Sequence, residues 1–415
     1  MVGLVVGILL LAGLVVAVFV GFNIGGSSTG VAFGPAVGSG VVSKVAAAGL
    51  MTVFALLGGI TVGRQVVETM GGRIVPSDLF TLQVSIVVLF FIGFALFLSN
   101  IVGVPASTSM TAVGAIAGLG LATGDLNVGV MTEIVGYWLV APVVAFWLSA
   151  VVGRYLYPEL VERFAVGQTE GPLLAWDRSG LLPRPGLGEQ TTRREFVGTA
   201  AVVVIGCYMA FSAGASNVAN AVAPLVGSGY LGMTEGILLA AGAIGVGAFT
   251  IARRTLDTMG SDLTDLPLLA ALIVEVVSAS IITTLSAIGI PASFVVVATM
   301  SIVGLGWGRA TRTVRIGDGV TSARPPGRDA VGALGAESAD EAVPTVDDPR
   351  PEGVQAGDDP EVPEMGEEDP DDLPATSDLF EPKETARVVA MQNLVPVLAT
   401  VMAFLVFRFV PGLAG

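Results

Sequence analysis

Gly214 to Gly229 reads GASNVANAVAPLVGSG, and an earlier stretch, Gly21 to Gly40, reads GFNIGGSSTGVAFGPAVGSG. Both are rich in Gly, Ser and Asn, both carry a proline, and both close on VGSG. Each interrupts sequence that is otherwise apolar. In lipid every backbone polar group must be satisfied inside the protein, so a lipid-facing helix has no use for such residues. Paired interruptions at matching places in the two halves of a membrane chain point to a binding site built from broken helices. The two stretches are therefore expected to be re-entrant segments.

The rest of the chain supports a membrane setting. Of 415 residues, 53% are hydrophobic and 13% charged, with a mean hydropathy of +0.79. A soluble domain would be about 25% charged. Apolar runs of about 20 residues recur, the length that crosses a bilayer. The expected fold is an all-α polytopic membrane protein in the cell membrane, its lipid bilayer the first partner. Val2 to Val20 has no basic start and no small-residue cleavage site, so it reads as a retained helix and not a signal peptide. The single cysteine, Cys207, excludes an intramolecular disulfide and a cysteine-based metal cluster, and the absence of histidine removes histidine ligands and proton relays. The net charge of −15 is concentrated: Glu337 to Glu384 holds 18 acidic residues against Arg350 and Lys383. That acid excess, with Lys44 and Lys383 the only lysines, suits a salt-rich cytoplasm.

The chain repeats itself. GGITVGRQVVETMGG from Gly58 parallels VGAFTIARRTLDTMGSD from Val246, and IVGVPAST from Ile101 parallels AIGIPASF from Ala287. With the VGSG stretches, three blocks recur in one order, which excludes a chance likeness. The organisation expected is a first transmembrane repeat at 1–153, a cytoplasmic linker at 154–195, a second repeat at 196–308, an acidic disordered cytoplasmic loop at 309–385 and a final transmembrane helix at 386–415. The linker, with Pro172, Pro183 and Pro185, should be irregular. The acidic loop is Pro-rich and almost free of aromatics. Basic residues near helix ends place Arg154 to Arg194, Arg253, Arg254 and Arg309 to Arg315 in the cytoplasm and the N-terminus outside. About ten spans then put Arg64 to Asp78 outside and its counterpart, Arg253 to Asp265, inside. The repeats are therefore inverted in topology. Arg64 and Arg73 fall outside against the basic-residue rule, partly offset by Glu68 and Asp78.

These blocks resemble the inorganic phosphate transporter (PiT) family, which carries a GANDVANA-like motif and a G-[LI]-P-V-S-T-T-H-like motif in each half. Gly214-Ala215-Ser216-Asn217-Val218-Ala219-Asn220-Ala221 is similar to the first motif, and Gly21 to Ser28 more loosely so. Gly103-Val104-Pro105-Ala106-Ser107-Thr108-Ser109 and Gly289-Ile290-Pro291-Ala292-Ser293 are similar to the second. Three departures stand out. The first motif's aspartate is Ile24 in one copy and Asn217 in the other. The second motif's histidine is missing from both. A glutamate sixteen residues before the motif proline is kept as Glu275 but replaced by Leu89 in the first half. The resemblance implies sodium- or proton-coupled phosphate transport, with sulfate carried by some relatives.

The candidate site follows from these elements. Pro105 should open a half-helix whose first turn carries Ser107, Thr108 and Ser109, with Ser293 repeating the pattern. Hydroxyls and free N–H groups at a helix start suit a tetrahedral oxyanion, and capping or close packing is the alternative. Asn23, Ser27, Ser28, Asn217 and Asn220 lie in the Gly/Asn stretches. Their polar groups could bind substrate or satisfy freed backbone. Asn23, Asn217 and Glu275 are the candidates for a coupling ion, Glu275 because an acid inside an apolar span is costly without a task. A structural salt bridge is its alternative.

No nucleotide-binding loop, metalloprotease motif or nucleophile elbow occurs in a plausible context, so no enzyme activity, nucleic-acid partner or bound metal is expected. The expected function is a secondary active transporter that imports inorganic phosphate with sodium or protons. A sulfate permease on the same scaffold is the runner-up, and a passive anion channel or a non-transporting receptor is the rival of another class. No cofactor is expected beyond a co-transported sodium ion, and a homodimer is compatible with this reading.

Overall fold

The structure, a computed structural model, describes residues 2–102, 106–163, 174–177, 184–187, 193–250, 268–311, 382–410 and 412–413. Pro105, Arg253, Arg254 and the acidic stretch 312–381 lie outside the described residues. The first half comprises α1 (Val2–Gly38), α2 (Lys44–Thr61), α3 (Gly63–Glu68) with a π turn at Thr69–Arg73, α4 (Leu82–Val102), α5 (Thr108–Thr123) and α6 (Val128–Val151). A second π turn, Val152–Leu156, leads into α7 (Tyr157–Arg163). The second half comprises α8 (Arg193–Gly227), α9 (Met233–Thr250), α10 (Leu268–Ala287), α11 (Phe294–Ala310) and α12 (Pro382–Phe409). Among the described residues eight helices are long and apolar enough to cross a membrane, and α5 and α11 are shorter apolar helices. Together they stand where about ten spans were expected. An apolar face of α1, Leu4, Val5, Ile8, Leu11 and Val15, is exposed, as a lipid-facing surface would be.

The linker is more regular than expected: the second π turn and α7 occupy its start, and a short β ribbon follows. β1 (Leu174–Asp177) pairs antiparallel with β2 (Arg184–Leu187), where an irregular connection was expected. Pro185 is tolerated because each strand of a two-stranded ribbon keeps a free edge.

The Gly/Asn stretches are not re-entrant. Residues 21–38 continue α1, a helix of 37 residues, and residues 214–227 continue α8, a helix of 35. At about 1.5 Å per residue each exceeds 50 Å, well beyond a hydrocarbon core of about 30 Å. The shared VGSG is a helix stop. Gly40 and Gly229 both take a left-handed conformation, φ +73° and +74°. Their N–H groups donate to Val37 O and Val226 O at 3.0 Å, closing the helix end. The glycines further in serve close helix crossing. A side chain at Gly25 would strike the backbone of Ile244, and one at Gly247 the backbone of Phe22. Gly214 meets Ala55 and Gly58 meets Phe211 in the same way. Small residues at such crossings let backbones approach, which favours helix association in lipid.

The breaks fall instead at the Pro-Ala-Ser elements. Ser107 and Ser293 are the N-caps of α5 and α11, each buried, and each short helix starts inside the bundle.

Packing carries the repeat into three dimensions. α1 packs on α9 as α8 packs on α2, α5 on α12 as α11 on α6, and α4 on α1 as α10 on α8. Exchanging the halves leaves this list unchanged, with α12 standing in the second half where α6 stands in the first. The equivalent helices α1 and α8 run antiparallel, for Gly13 meets Leu225 while Phe33 meets Gly206. Equivalent helices that run in opposite directions make the repeats inverted.

Candidate functional site

Four helices meet at the starts of α5 and α11. Thr108, in the first turn of α5, donates its hydroxyl to Asn217 Oδ1 on α8 at 2.6 Å. Asn220 Nδ2, one helical turn further along α8, donates to the same oxygen at 3.1 Å and to Ser109 Oγ at 3.3 Å. Asn217 Nδ2 donates to Ser28 Oγ on α1 at 3.3 Å. Ser109 and Ser216 share a hydrogen bond of 3.1 Å, and Ser216 Oγ also donates to Ala292 O at 3.0 Å, tying α8 to the start of α11. The two repeats thus interlock through small, largely buried polar side chains that bond one another, with Asn220 Oδ1 left without a partner among the described residues.

Beside this network is a small cavity of about 20 Å³, lined by Ser28, Ala32, Ala106, Thr108, Met209, Ala213, Asn217, Ser293, Phe294 and Val295. That is room for one or two water molecules, so a larger occupant requires the helices to part. Among the described residues the cavity lining holds no acidic or basic side chain. Positive potential comes from the backbone. Two helices of 16 and 17 residues begin at the cavity, which Thr108 of the one and Phe294 and Val295 of the other line. A helix N-terminus carries roughly half a positive charge, so the pair offers about one.

Not every expected residue joins this cluster. Ser28, Thr108, Ser109, Asn217, Asn220 and Ser293 do. Ser107 is fully buried, and its oxygen accepts the Met110 N–H at 3.2 Å; it caps α5 and does not line the cavity. Asn23 is engaged elsewhere: Nδ2 donates to Phe19 O at 2.8 Å, and Asn100 Nδ2 donates to Asn23 Oδ1 at 3.0 Å. Of Ser27 only the helical backbone is described. Glu275 is buried on α10, does not line the cavity, and its Oε1 has no partner among the described residues. The residues beside it on the same helical face show what surrounds it. Ser278 Oγ donates to Ser301 Oγ of α11 at 3.2 Å, and Ala279 O accepts from Ser212 of α8 at 3.0 Å. Glu275 therefore lies on the face that α10 turns toward α8 and α11. Its counterpart in the first half, Leu89, is fully buried.

Ser216, Asn100 and the apolar lining residues, Met209, Ala213 and Phe294 among them, are the residues that sequence reading missed. Ser216 stands inside the quoted stretch and could have been found there. Met209 and Phe294 carry no polar signal, and only the cavity shared by α8 and the start of α11 brings them together.

Comparison with known proteins agrees with this architecture. A family model described as the phosphate transporter family matches residues 24–322. The sulfate permease CysP of Bacillus subtilis is 29% identical over 297 residues, covering 71% of this chain and 77% of the relative. A sodium-dependent phosphate transporter of Toxoplasma gondii is 32% identical over 129 residues, covering 29% of this chain and 15% of the relative. A solved structure of a sodium-dependent phosphate transporter superposes with a TM-score of 0.58 at 20% identity, covering 74% of this chain and 92% of that one. The last likeness is one of fold.

Proposed function

We propose that this chain, which belongs to the phosphate transporter family, is a secondary active transporter that imports a small tetrahedral oxyanion across the cell membrane. One observation carries the reading: a short helix from each repeat begins at the same buried cavity, with Ser28, Thr108, Asn217 and Ser293 around it. Free N–H groups and hydroxyls at two helix starts are what an oxyanion needs where Arg and Lys are absent. The site lies at the contact of two inverted repeats, where the rocking of one against the other would open it to alternate sides.

Inorganic phosphate is the substrate that the family's name carries. Sulfate is the second reading, favoured by a sulfate permease matched over most of both chains. Glu275 is the coupling residue in this reading, holding a sodium ion or taking up a proton, since a buried carboxyl with an unpartnered oxygen is costly in an apolar span without such a task.

The orientation proposed is cytoplasmic for the end that carries Arg154 and Arg309. Arg154 Nη1 donates to Thr311 O at 2.7 Å, and the Arg309 guanidinium sits 4.4 Å from the Tyr157 ring centre, so these basic groups gather at one end of the bundle. Arg64, bonded to Thr234 at 3.2 Å, is at the opposite end.

Uptake of radiolabelled phosphate and sulfate by proteoliposomes, with and without an inward sodium or proton gradient, tests the proposal. Concentrative uptake that collapses with the gradient supports a coupled carrier. Uptake that only equilibrates the anion indicates a channel, and no uptake of either anion removes the oxyanion reading.

A further inference from the structure

Near neutral pH inorganic phosphate keeps a P–O–H, while sulfate has no proton. A site for phosphate must therefore supply an acceptor for that hydrogen, and a site for sulfate needs donors alone. A polar hydrogen buried without an acceptor is penalised. The cavity can be sorted on this basis, residue by residue.

Asn217 is decisive because its amide is held in one direction. Its Oδ1 is taken by two donors, the Thr108 hydroxyl at 2.6 Å and Asn220 Nδ2 at 3.1 Å. Its Nδ2 end faces Ser28 at 3.3 Å, on the cavity side. The second hydrogen of that amide nitrogen is available to an occupant. Ser28 accepts from Asn217, which leaves its own proton to donate. Ser293 accepts the Val296 N–H at 3.3 Å and likewise keeps its proton for the cavity. The N–H groups of Phe294 and Val295, ahead of the capped Val296 in α11, are further donors at residues that line the cavity. Against these stands no carboxylate among the described residues of the lining, and leftover hydroxyl lone pairs are neutral acceptors, weaker than an ionised one.

Resting on the oxyanion reading above, we infer that this cavity selects the fully deprotonated dianion, sulfate, over hydrogen phosphate, and that Asn217 sets the choice. The same geometry says how the choice is reversed. An aspartate at 217 would keep one oxygen on Thr108 and Asn220. Its second oxygen would stand where Nδ2 now stands, so a donor facing the cavity becomes a charged acceptor. That change repels sulfate and accepts the proton of phosphate.

The experiment is uptake of radiolabelled sulfate by the purified full chain in proteoliposomes, competed by unlabelled phosphate or sulfate at neutral pH. Phosphate should need about tenfold or more the concentration of sulfate to halve the uptake. Asn217→Asp should shift that ratio toward phosphate by about tenfold or more. If phosphate competes as well as sulfate in the wild type, the selectivity inference is overturned while oxyanion transport stands. If the wild type prefers sulfate and a folded Asn217→Asp protein prefers it equally, Asn217 is not the determinant. If neither anion is carried, the oxyanion reading itself falls. Should Asn217→Asp fail to assemble, the wild-type ratio alone still decides whether the cavity selects sulfate.

Discussion

Ser293 occupies two roles at once, and its replacement separates them. Its oxygen accepts the Val296 N–H at 3.3 Å, which caps α11, and its hydroxyl lines the cavity. Ser293→Ala removes both. Loss of an N-cap costs typically about 1 kcal/mol of stability. Loss of a donor to a charged acceptor costs about 1.5–3 kcal/mol of binding, which at 1.4 kcal/mol per decade is roughly a 10- to 150-fold weaker affinity. A control is built into the fold. Ser43 caps α2 with the same geometry, accepting the Ala46 N–H at 3.3 Å, and does not line the cavity. Ser43→Ala should therefore lose a similar increment of thermal stability in detergent with unchanged oxyanion uptake. Ser293→Ala should lose that increment and also show the raised half-saturation concentration in proteoliposomes. If both variants transport with wild-type affinity, Ser293 is a cap and nothing more, and the placement of the anion at the start of α11 is wrong.

Glu275→Gln keeps the side chain's shape and removes its charge, so gradient-driven accumulation should vanish while some anion exchange persists; accumulation that remains fully gradient-driven would move the coupling site elsewhere. A cysteine at 338, introduced into a Cys207→Ser background, should stay unlabelled by an impermeant reagent applied to intact cells, because the acidic stretch is proposed to be cytoplasmic; rapid labelling would invert the orientation. Gly214→Val forces a side chain into the backbone of Ala55 and should destabilise the protein by roughly 1–3 kcal/mol, read as a lower unfolding temperature. Gly242→Val meets nothing within 4 Å and should leave that temperature unchanged; equal losses in the two variants would show that the α2–α8 crossing is looser than described.

Membrane insertion, helix content and the inverted repeat were legible in the residues alone. Each depends on a one-dimensional signal: run length against bilayer thickness, or one block recurring in order. The half-helix starts were legible too, because a Pro-Ala-Ser element in an apolar run is a local instruction, and Ser107 and Ser293 obey it as N-caps. The Gly/Asn stretches show where local reading ends. Their composition looks like a broken helix, yet α1 and α8 run through them unbroken. What overrides the composition is tertiary. α9 lies against Gly25 and α2 against Gly214, so residues that would be useless facing lipid become the points where backbones cross. The same reason governs the site. Asn23 and Asn217 occupy similar places in similar motifs, but Asn100 of α4 takes up one and Thr108 of α5 orients the other. Which amide faces a cavity depends on which helix arrives beside it, and that is settled only when the two halves pack together.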